Sequence, residues 1–238
     1  MRHKIFFRSS LYPAGEQERR VREMFSQIAQ RYVLMNHLMT AGQDIRWRRA
    51  AVRRAQIQPG ATVLDLGTGT GDLVREVLRQ VPSAWVIGAD FTLTMMHAGQ
   101  RFSPFLCTAA DALHLPFAER TFDAVLSGFL MRNVSDLLRA LEEQFRVLKP
   151  GGRIVILDTT RPPHNLLSPF IWLHMHLVIP LLGTLVTGSG SAYRYLSEST
   201  ENFLNAEELA QKMEQIGFRK VGFQRLTFGV AAIHWGTK

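Results

Sequence analysis

The stretch VLDLGTGTGDL, from Val63 to Leu73, reads as a buried strand that carries an acid, Asp65, and turns through Gly67, Gly69 and Gly71 into a helix. Glycines at those steps permit positive φ and let a ligand lie against the backbone. The same rhythm continues outward. Apolar runs at 61–66 (ATVLDL), 84–89 (AWVIGA), 122–127 (FDAVLS) and 153–157 (RIVIL) alternate with helical patterns near 71–80, 92–100 and 135–147. That alternation is the signature of a parallel sheet covered on both faces, a doubly wound α/β fold. Upstream are two helical stretches, roughly 16–31 and 43–56, closed by Gln58-Pro59-Gly60. Downstream come an insertion to about residue 200, a helix at 206–216 and apolar stretches at 219–223 and 226–234.

The loop spacing is GxGxG, whereas dinucleotide sites use GxGxxG to bring a pyrophosphate to the helix N-terminus. S-adenosylmethionine carries no phosphate but has an ammonium and a sulfonium, and an acid beside a glycine turn suits that cation. Taken alone, the loop also fits a structural turn or another nucleotide site. Two further carboxylates fall at the carboxyl edge of the sheet, where a doubly wound fold gathers its ligands. Asp90 ends the second strand, where an acid accepts hydrogen bonds from both ribose hydroxyls. Asp111 follows the next apolar stretch, in TAADALHLPF, where its carboxylate and the Ala112 amide can recognise an adenine edge. Each alone reads better as a solvated loop acid or a helix cap. Three acids at three successive strand ends favour the cofactor.

The formal charge of +8 is entirely N-terminal: residues 1–60 hold 12 Lys/Arg against 4 Asp/Glu, and residues 61–238 hold 16 of each. Such a segment meets an anionic membrane surface or RNA phosphates, or is simply a solvated helix face. No RNP aromatic pair or basic GXXG clamp points to RNA, so a nucleic-acid partner is not expected. Cys107 is the single cysteine, which excludes an internal disulfide and a zinc cluster of cysteines, and no metal is expected. The first twenty residues hold only a short apolar run, Ile5 to Phe7, which is no secretion signal; a cytoplasmic protein is expected.

Residues 18–238 resemble the quinone-biosynthesis C-methyltransferase family, which methylates demethylmenaquinone or the corresponding ubiquinone precursor. Tyr32, Met35, Asn36 and Trp47, in RYVLMNHLMTAGQDIRW, fall at the spacing of that family's N-terminal motif. RVLKPGGRIVILDTT from Arg146 resembles its second motif, and MRNVSD, AYRYLSES and LTFGVAAIHWGTK resemble further segments. The resemblance implies cofactor contacts at Thr70, Asp90, Asp111 and Ala112, and places Tyr32, Arg132 and Asn133 beside the substrate. Phenols titrate near pH ~10, so ring methylation needs help in exposing a phenolate. Arg132 would hold the developing oxyanion, with Asn133 orienting it; a guanidinium is a poor proton acceptor. The bland reading of the pair is a surface ion pair and a helix cap before Asp136.

The chain departs from the family at several positions. The family usually has Asp at Val33, Ser at Thr40, His at Asp44, Gly-Leu at Leu130-Met131 and Glu-x-Ser at Asp158-Thr159-Thr160. A cofactor-contacting serine aligns with Gly128, leaving Ser127 one place off. The segment LLSPFIWLHMHLVIPLLGTLVT, Leu166 to Thr187, contains no Asp, Glu, Lys or Arg, and length alone allows a membrane span. Pro169, Pro180, Ser168 and Gly183 break it, so an apolar lid that admits an isoprenoid tail is expected, ahead of a buried helix, a homodimer contact or a span. His174 and His176 are candidate bases or ordinary lid residues.

The expected architecture is a seven-stranded class I methyltransferase-like, Rossmann-like sheet at 59–238, with an N-terminal helical cap at 1–58 and a lid at 161–200. The expected activity is S-adenosylmethionine-dependent C-methylation of a prenylated quinol, demethylmenaquinol first among them. Peripheral contact with the inner membrane surface is expected through 166–187 and the basic N-terminal region. The rivals are methylation of another small molecule or RNA, an NAD-linked oxidoreductase, and a catalytically silent lipid-binding homologue.

Overall fold

Runs rich in Val, Ile and Leu bury both faces and so become interior parallel strands. In the computed structural model, which describes residues 15–161 and 168–238, they form β1 (Thr62–Leu66), β2 (Trp85–Asp90), β4 (Phe122–Gly128) and β5 (Leu148–Thr159), while the three-residue β3 (Cys107–Ala109), with no branched apolar residue, pairs with β2 at the edge of the sheet. Two more strands, β6 (Arg219–Leu226) and β7 (Ala231–Thr237), complete a seven-stranded sheet of order β3-β2-β1-β4-β5-β7-β6. β7 runs antiparallel to both β5 and β6, and the other pairings are parallel. The run Ile5 to Phe7 and the lid residues Leu166 and Leu167 lie outside the described residues.

Three helices precede the sheet: α1 (Glu16–Ile28), α2 (Tyr32–Thr40) and α3 (Gln43–Ala55). The expected helix at 16–31 ends at Ile28, passes through a 3₁₀ turn at Ala29–Arg31, and α2 follows where the sequence reading placed no helix. The reason is tertiary: Met35 and the flank of Tyr32 find their apolar partners far along the chain, in the lid. Ala41 and Gly42 both take left-handed φ, 48° and 75°, and swing the chain into α3. α3 then lies on the sheet, where Trp47, Ala51, Val52 and Ala55 share a core with Val63, Val155 and Leu157. A boundary at residue 58 therefore crosses a shared core.

α4 (Asp72–Gln80) joins α3 on that face, and α5 (Leu93–Gln100) follows β2. On the other face lie α6 (Leu137–Val147), capped by the Asp136 carboxylate, and further along the chain a helix at Ala206–Ile216. Between β5 and that helix sits the segment expected to be a lid, and called the lid below, although none of its described residues lines the main cleft. α7 (Ser168–Leu173), a π-turn at His174–Val178 and α8 (Ile179–Thr187) make one continuous helix, long and apolar enough by length and composition to cross a membrane. α9 (Gly190–Asn202) packs back on it: Gly183 lies against the Tyr193 ring, and Ser197 donates to the Met175 carbonyl at 2.6 Å. One lid face thus joins Ile28 and Met35 in a small core, while Phe170 and Leu185 on the other remain 70% and 73% exposed. The helix at Ala206–Ile216 is α10, opened by a reciprocal Asn205–Glu208 capping box.

Gly99 shows how tightly α5 meets the glycine turn. A Cβ there would fall 2.2 Å from the Thr70 carbonyl oxygen. Helix propensity alone says that alanine gains about 1 kcal/mol over glycine. We expect the opposite sign for Gly99→Ala, a loss of roughly 1–3 kcal/mol from overpacking, read as a melting temperature lower by a few degrees. A midpoint at or above the parent's would refute this account of the contact.

Candidate active site

β1 lies between β2 and β4, so the winding of the chain reverses there and a cleft opens at the carboxyl ends of the two neighbours. Gly67, Gly69 and Gly71 all have positive φ, at 69°, 53° and 81°. They differ in use. Gly67 and Gly69 line the cleft, whereas a Cβ on Gly71 would strike the Phe105 ring at 2.5 Å, so Gly71 serves packing. Asp90 ends β2, and its carboxylate accepts the Gly69 N–H at 2.8 Å and the Thr92 N–H at 2.7 Å. Burial pushes this acid up, and hydrogen bonds from the Thr92 and Gly69 backbone, the Thr92 hydroxyl and the Phe91 backbone oppose the shift. An ionised carboxylate has about four acceptor positions. The protein's own donors use most of them, yet Asp90 lines the cleft, so a pair of hydroxyls there would share its oxygens with those donors.

The other sequence-designated residues divide between the cleft wall and the layer behind it. Asp111, Ala112 and Gly128 line the cleft; the half-exposed Asp111 accepts the Leu113 N–H at 2.9 Å. Asp65 does not line it. Its Oδ2 accepts from the Thr68 hydroxyl at 2.7 Å, and its Oδ1 has no hydrogen-bond partner among the described residues. Burial drives Asp65 up to about 7, with Asp90 and Asp72 adding to the rise and Thr68 opposing it. Thr70 is buried and donates to Asp72 at 3.1 Å. Ser127 is buried in β4, its hydroxyl without a partner among the described residues. His174 and His176 lie on the lid; one reaches the Met39 carbonyl, and the other stacks on Trp172 and lies 3.4 Å from Glu201.

Facing the glycine turn are Tyr32, Phe129, Leu130 and Asn133. Burial holds the Tyr32 phenol above its ordinary value, although Asn36, Arg132 and Arg48 pull it down. At neutral pH it is therefore a hydrogen-bond donor. Asn133 donates through Nδ2 to the Phe129 carbonyl at 3.0 Å and accepts from the Tyr195 hydroxyl at 3.5 Å, which fixes its amide at the wall. Arg132 does not line the cleft. It forms a buried ion pair with Asp158, unlike the surface pair of the bland reading, and stands 5.5 Å from the centre of the Phe129 ring. Asp158 is raised by burial and pulled back chiefly by Arg132.

Several residues that shape this site are not marked as site residues in the sequence. Asp158 stands one residue before the end of β5, so it followed the same strand-end rule as the other acids, and that signal was available. Phe129 adopts a left-handed φ of 59° directly after β4, which no local sequence cue announces. α1 roofs the cleft with Glu18, Val21 and Phe25; Ser135 donates to Glu18 at 2.6 Å, and Arg22 lies over the Phe91 ring. Leu130 leans onto the glycine turn, where a Cβ on Gly67 would fall 2.9 Å from it. The lining fits S-adenosylmethionine: a turn bare of side chains, an acid at the end of β2 and a second acid beside Ala112.

A profile of the ubiE/COQ5 methyltransferase family matches residues 14–238. The chain is 46% identical to the ubiquinone/menaquinone biosynthesis C-methyltransferase UbiE of Desulfotalea psychrophila, over 92% of this chain and 90% of that one. It is 45% identical to the demethylmenaquinone methyltransferase of Thermus thermophilus, over 90% of this chain and 100% of that one. A solved S-adenosylmethionine-dependent methyltransferase of Thermotoga maritima, described as a possible histamine N-methyltransferase, superposes with a TM-score of 0.66 at 19% identity, covering 91% and 98% of the two chains. The phosphoethanolamine N-methyltransferase 2 of Haemonchus contortus, solved with S-adenosylmethionine, gives 0.60 at 16% identity, covering 80% of this chain and 52% of that one. The structural likenesses establish the fold.

The raised Asp65 makes stability depend on pH with a definite sign. Its folded value of about 7 lies above the unfolded ~3.9, so the folded chain holds the extra proton in between. Stability from this group falls as pH rises from about 4 to about 7 and stays lost above. Asp65→Asn should flatten that part of the profile, measured as urea midpoints at pH 5, 6, 7 and 8. A parent-like slope in the variant would show that Asp65 is ionised throughout.

Proposed function

The chain belongs to the ubiE/COQ5 methyltransferase family, and from that premise we propose that it transfers a methyl group from S-adenosylmethionine to a ring carbon of a prenylated quinol, demethylmenaquinol above all. The observation that carries this reading is that the glycine turn with Asp90 and the polar pair Tyr32 and Asn133 line one cleft. When bound, the cofactor supplies an activated methyl group on a sulfonium. The chain's work is alignment, charge and exclusion of water.

Asp90 would take the ribose hydroxyls, Asp111 and Ala112 the adenine edge, and the backbone at Gly67 and Gly69 the remainder of the cofactor. Tyr32, protonated in its buried setting, would donate to one oxygen of the quinol, and Asn133 would orient the ring. Arg132 stands behind Phe129 and is paired with Asp158, so the pair would fix the wall formed by Phe129 and Asn133 against which the ring lies. The roof formed by α1 keeps water out, which strengthens every charge inside.

The test is turnover of reduced demethylmenaquinone with labelled S-adenosylmethionine, with the Arg132–Asp158 pair varied. Arg132→Met alone strands a buried carboxylate and should cost roughly 3–5 kcal/mol of stability. Arg132→Met with Asp158→Leu replaces the pair by apolar groups and should recover most of that stability. Turnover in the double variant should stay down by up to about a hundredfold, the scale of a small misplacement of the wall that carries Phe129 and Asn133. Recovery of turnover along with stability would make the pair structural. An absence of methylated quinol from the parent would overturn the quinol reading.

Peripheral contact with a lipid surface belongs to the same proposal, because a prenylated quinol resides in a bilayer. Phe170, Trp172, Leu177, Leu181 and Leu185 are exposed along the lid, and Arg31 is anchored to the Val186 carbonyl at its end. Exposed apolar strips of this length mark interaction surfaces, and a flanking cation suits anionic headgroups. The protein is therefore expected in the cytoplasm and on the inner membrane face. Trp172→Asp with Leu185→Asp should abolish flotation with anionic vesicles while leaving the melting temperature within about 2 °C. Equal flotation of parent and variant would remove the lid from the lipid-binding surface.

A further inference from the structure

The polar contacts that shape the α2–α3 corner continue into the cofactor site. Asp44, in the first turn of α3, is fully buried; it accepts from the Thr40 hydroxyl at 3.0 Å and lies 2.9 Å from His37 Nδ1. It thereby grips the C-terminal half of α2. One turn along α3, the buried Arg48 spreads its guanidinium between two carboxylates. Nη1 bonds Asp44, and Nη2 lies 3.6 Å from Asp72. Asp72 opens α4 immediately after Gly71, and it also accepts from the Thr70 hydroxyl at 3.1 Å and from Arg75 at 2.6 Å. The face of Arg48 stands 5.7 Å from the centre of the Phe129 ring, which Arg132 approaches to 5.5 Å.

We infer that Arg48 is a positioning residue that ties the glycine turn of the cofactor site to the helix carrying Tyr32, so that filling the first sets the second. α2 needs such a tie. It is nine residues long, has no side-chain N-cap, and is bounded by a 3₁₀ turn and a left-handed residue. A helix of that length has little stability of its own and takes its position from its partners. The tie needs arginine: a planar fork serves two carboxylates at once, whereas a lysine ammonium offers one point charge on a flexible stem. Burial makes the contact directional, since a guanidinium out of water must keep its acids. Arg48 also contributes to holding the Tyr32 phenol down against burial.

This inference rests on the methyltransferase reading only through the cofactor site, so its test uses the cofactor product and needs no quinol. Hydrogen–deuterium exchange would be followed in the parent with and without S-adenosylhomocysteine. Exchange should slow in the glycine turn and also throughout α2. In Arg48→Gln the turn should keep its protection and the affinity should change less than threefold, while the protection of α2 is lost. Asp72→Asn leaves the Arg48–Asp44 bond in place and should give the same loss in α2; it decides the matter should Arg48→Gln not fold. With quinol, Arg48→Gln should lower kcat at least tenfold with little change in KM for the cofactor, and Arg48→Lys should not restore it. No protection of α2 in the parent, or protection that survives in Asp72→Asn, overturns the tie alone. No binding of S-adenosylhomocysteine by the parent overturns the methyltransferase reading, and the tie with it.

Discussion

The cleft takes its shape from one carboxylate. Asp90 accepts the Gly69 N–H from the turn after β1 and the Thr92 N–H from the start of α5, so two successive strand–helix connections are pinned to a single buried charge. The strand pairing makes this possible, since Leu66 stands opposite Ala89 and brings the last turn of β1 beside the end of β2. A buried acid without donors would cost several kcal/mol. With donors from both connections it becomes the fixed point from which Gly67, Met95 and Phe91 are placed. Gly99 belongs to the same frame, because only a residue without a side chain lets α5 approach the Thr70 carbonyl.

The acceptor side depends on a second, smaller core. Ile28 and Met35 from the N-terminal helices meet Tyr193 and Leu196 from α9, with Ile179, Leu182 and Val186 of the lid around them. Tyr32 and Phe25 sit at the edge of this core and also touch the cluster of Met95 and Ala98 on α5. The same side chains therefore feel the lid and the cofactor helix together. Cap, lid and cofactor turn are in contact through apolar packing on one side and through Asp44, Arg48 and Asp72 on the other.

Several positions read in the sequence as departures from the family pattern have a local physical role. Thr40 places its hydroxyl on Asp44 and on the Asn36 carbonyl, and Asp44 is neutralised by Arg48. Asp158 reaches Arg132 directly and also caps the Arg132 and Thr159 amides. Leu130 covers the glycine turn, and Gly128 opens the wall beside Leu73. Nothing in the structure explains Val33.

Much of this was legible in the chain. Strands buried on both faces leave unbroken apolar runs, glycine turns leave a spacing, and the strand-end rule locates acids. Asp90, Asp111, Gly67 and Gly69 accordingly fall on the cleft. β3 was legible only as the apolar stretch before Asp111, without bounds, since three residues carry no period; the helix α2 was not legible, because it is apolar towards partners more than a hundred residues away. The same limit governed the site. Sequence could name Tyr32, Arg132 and Asn133 as neighbours of the substrate, but could not show that Arg132 turns away to Asp158 while Asn133 faces the cleft. Local pattern determines which elements form, because periodicity and φ preference are properties of a few adjacent residues. Which charges meet, and which of two adjacent side chains faces the ligand, was decided by packing between distant segments, where the cost of an unpaired buried charge selects the arrangement.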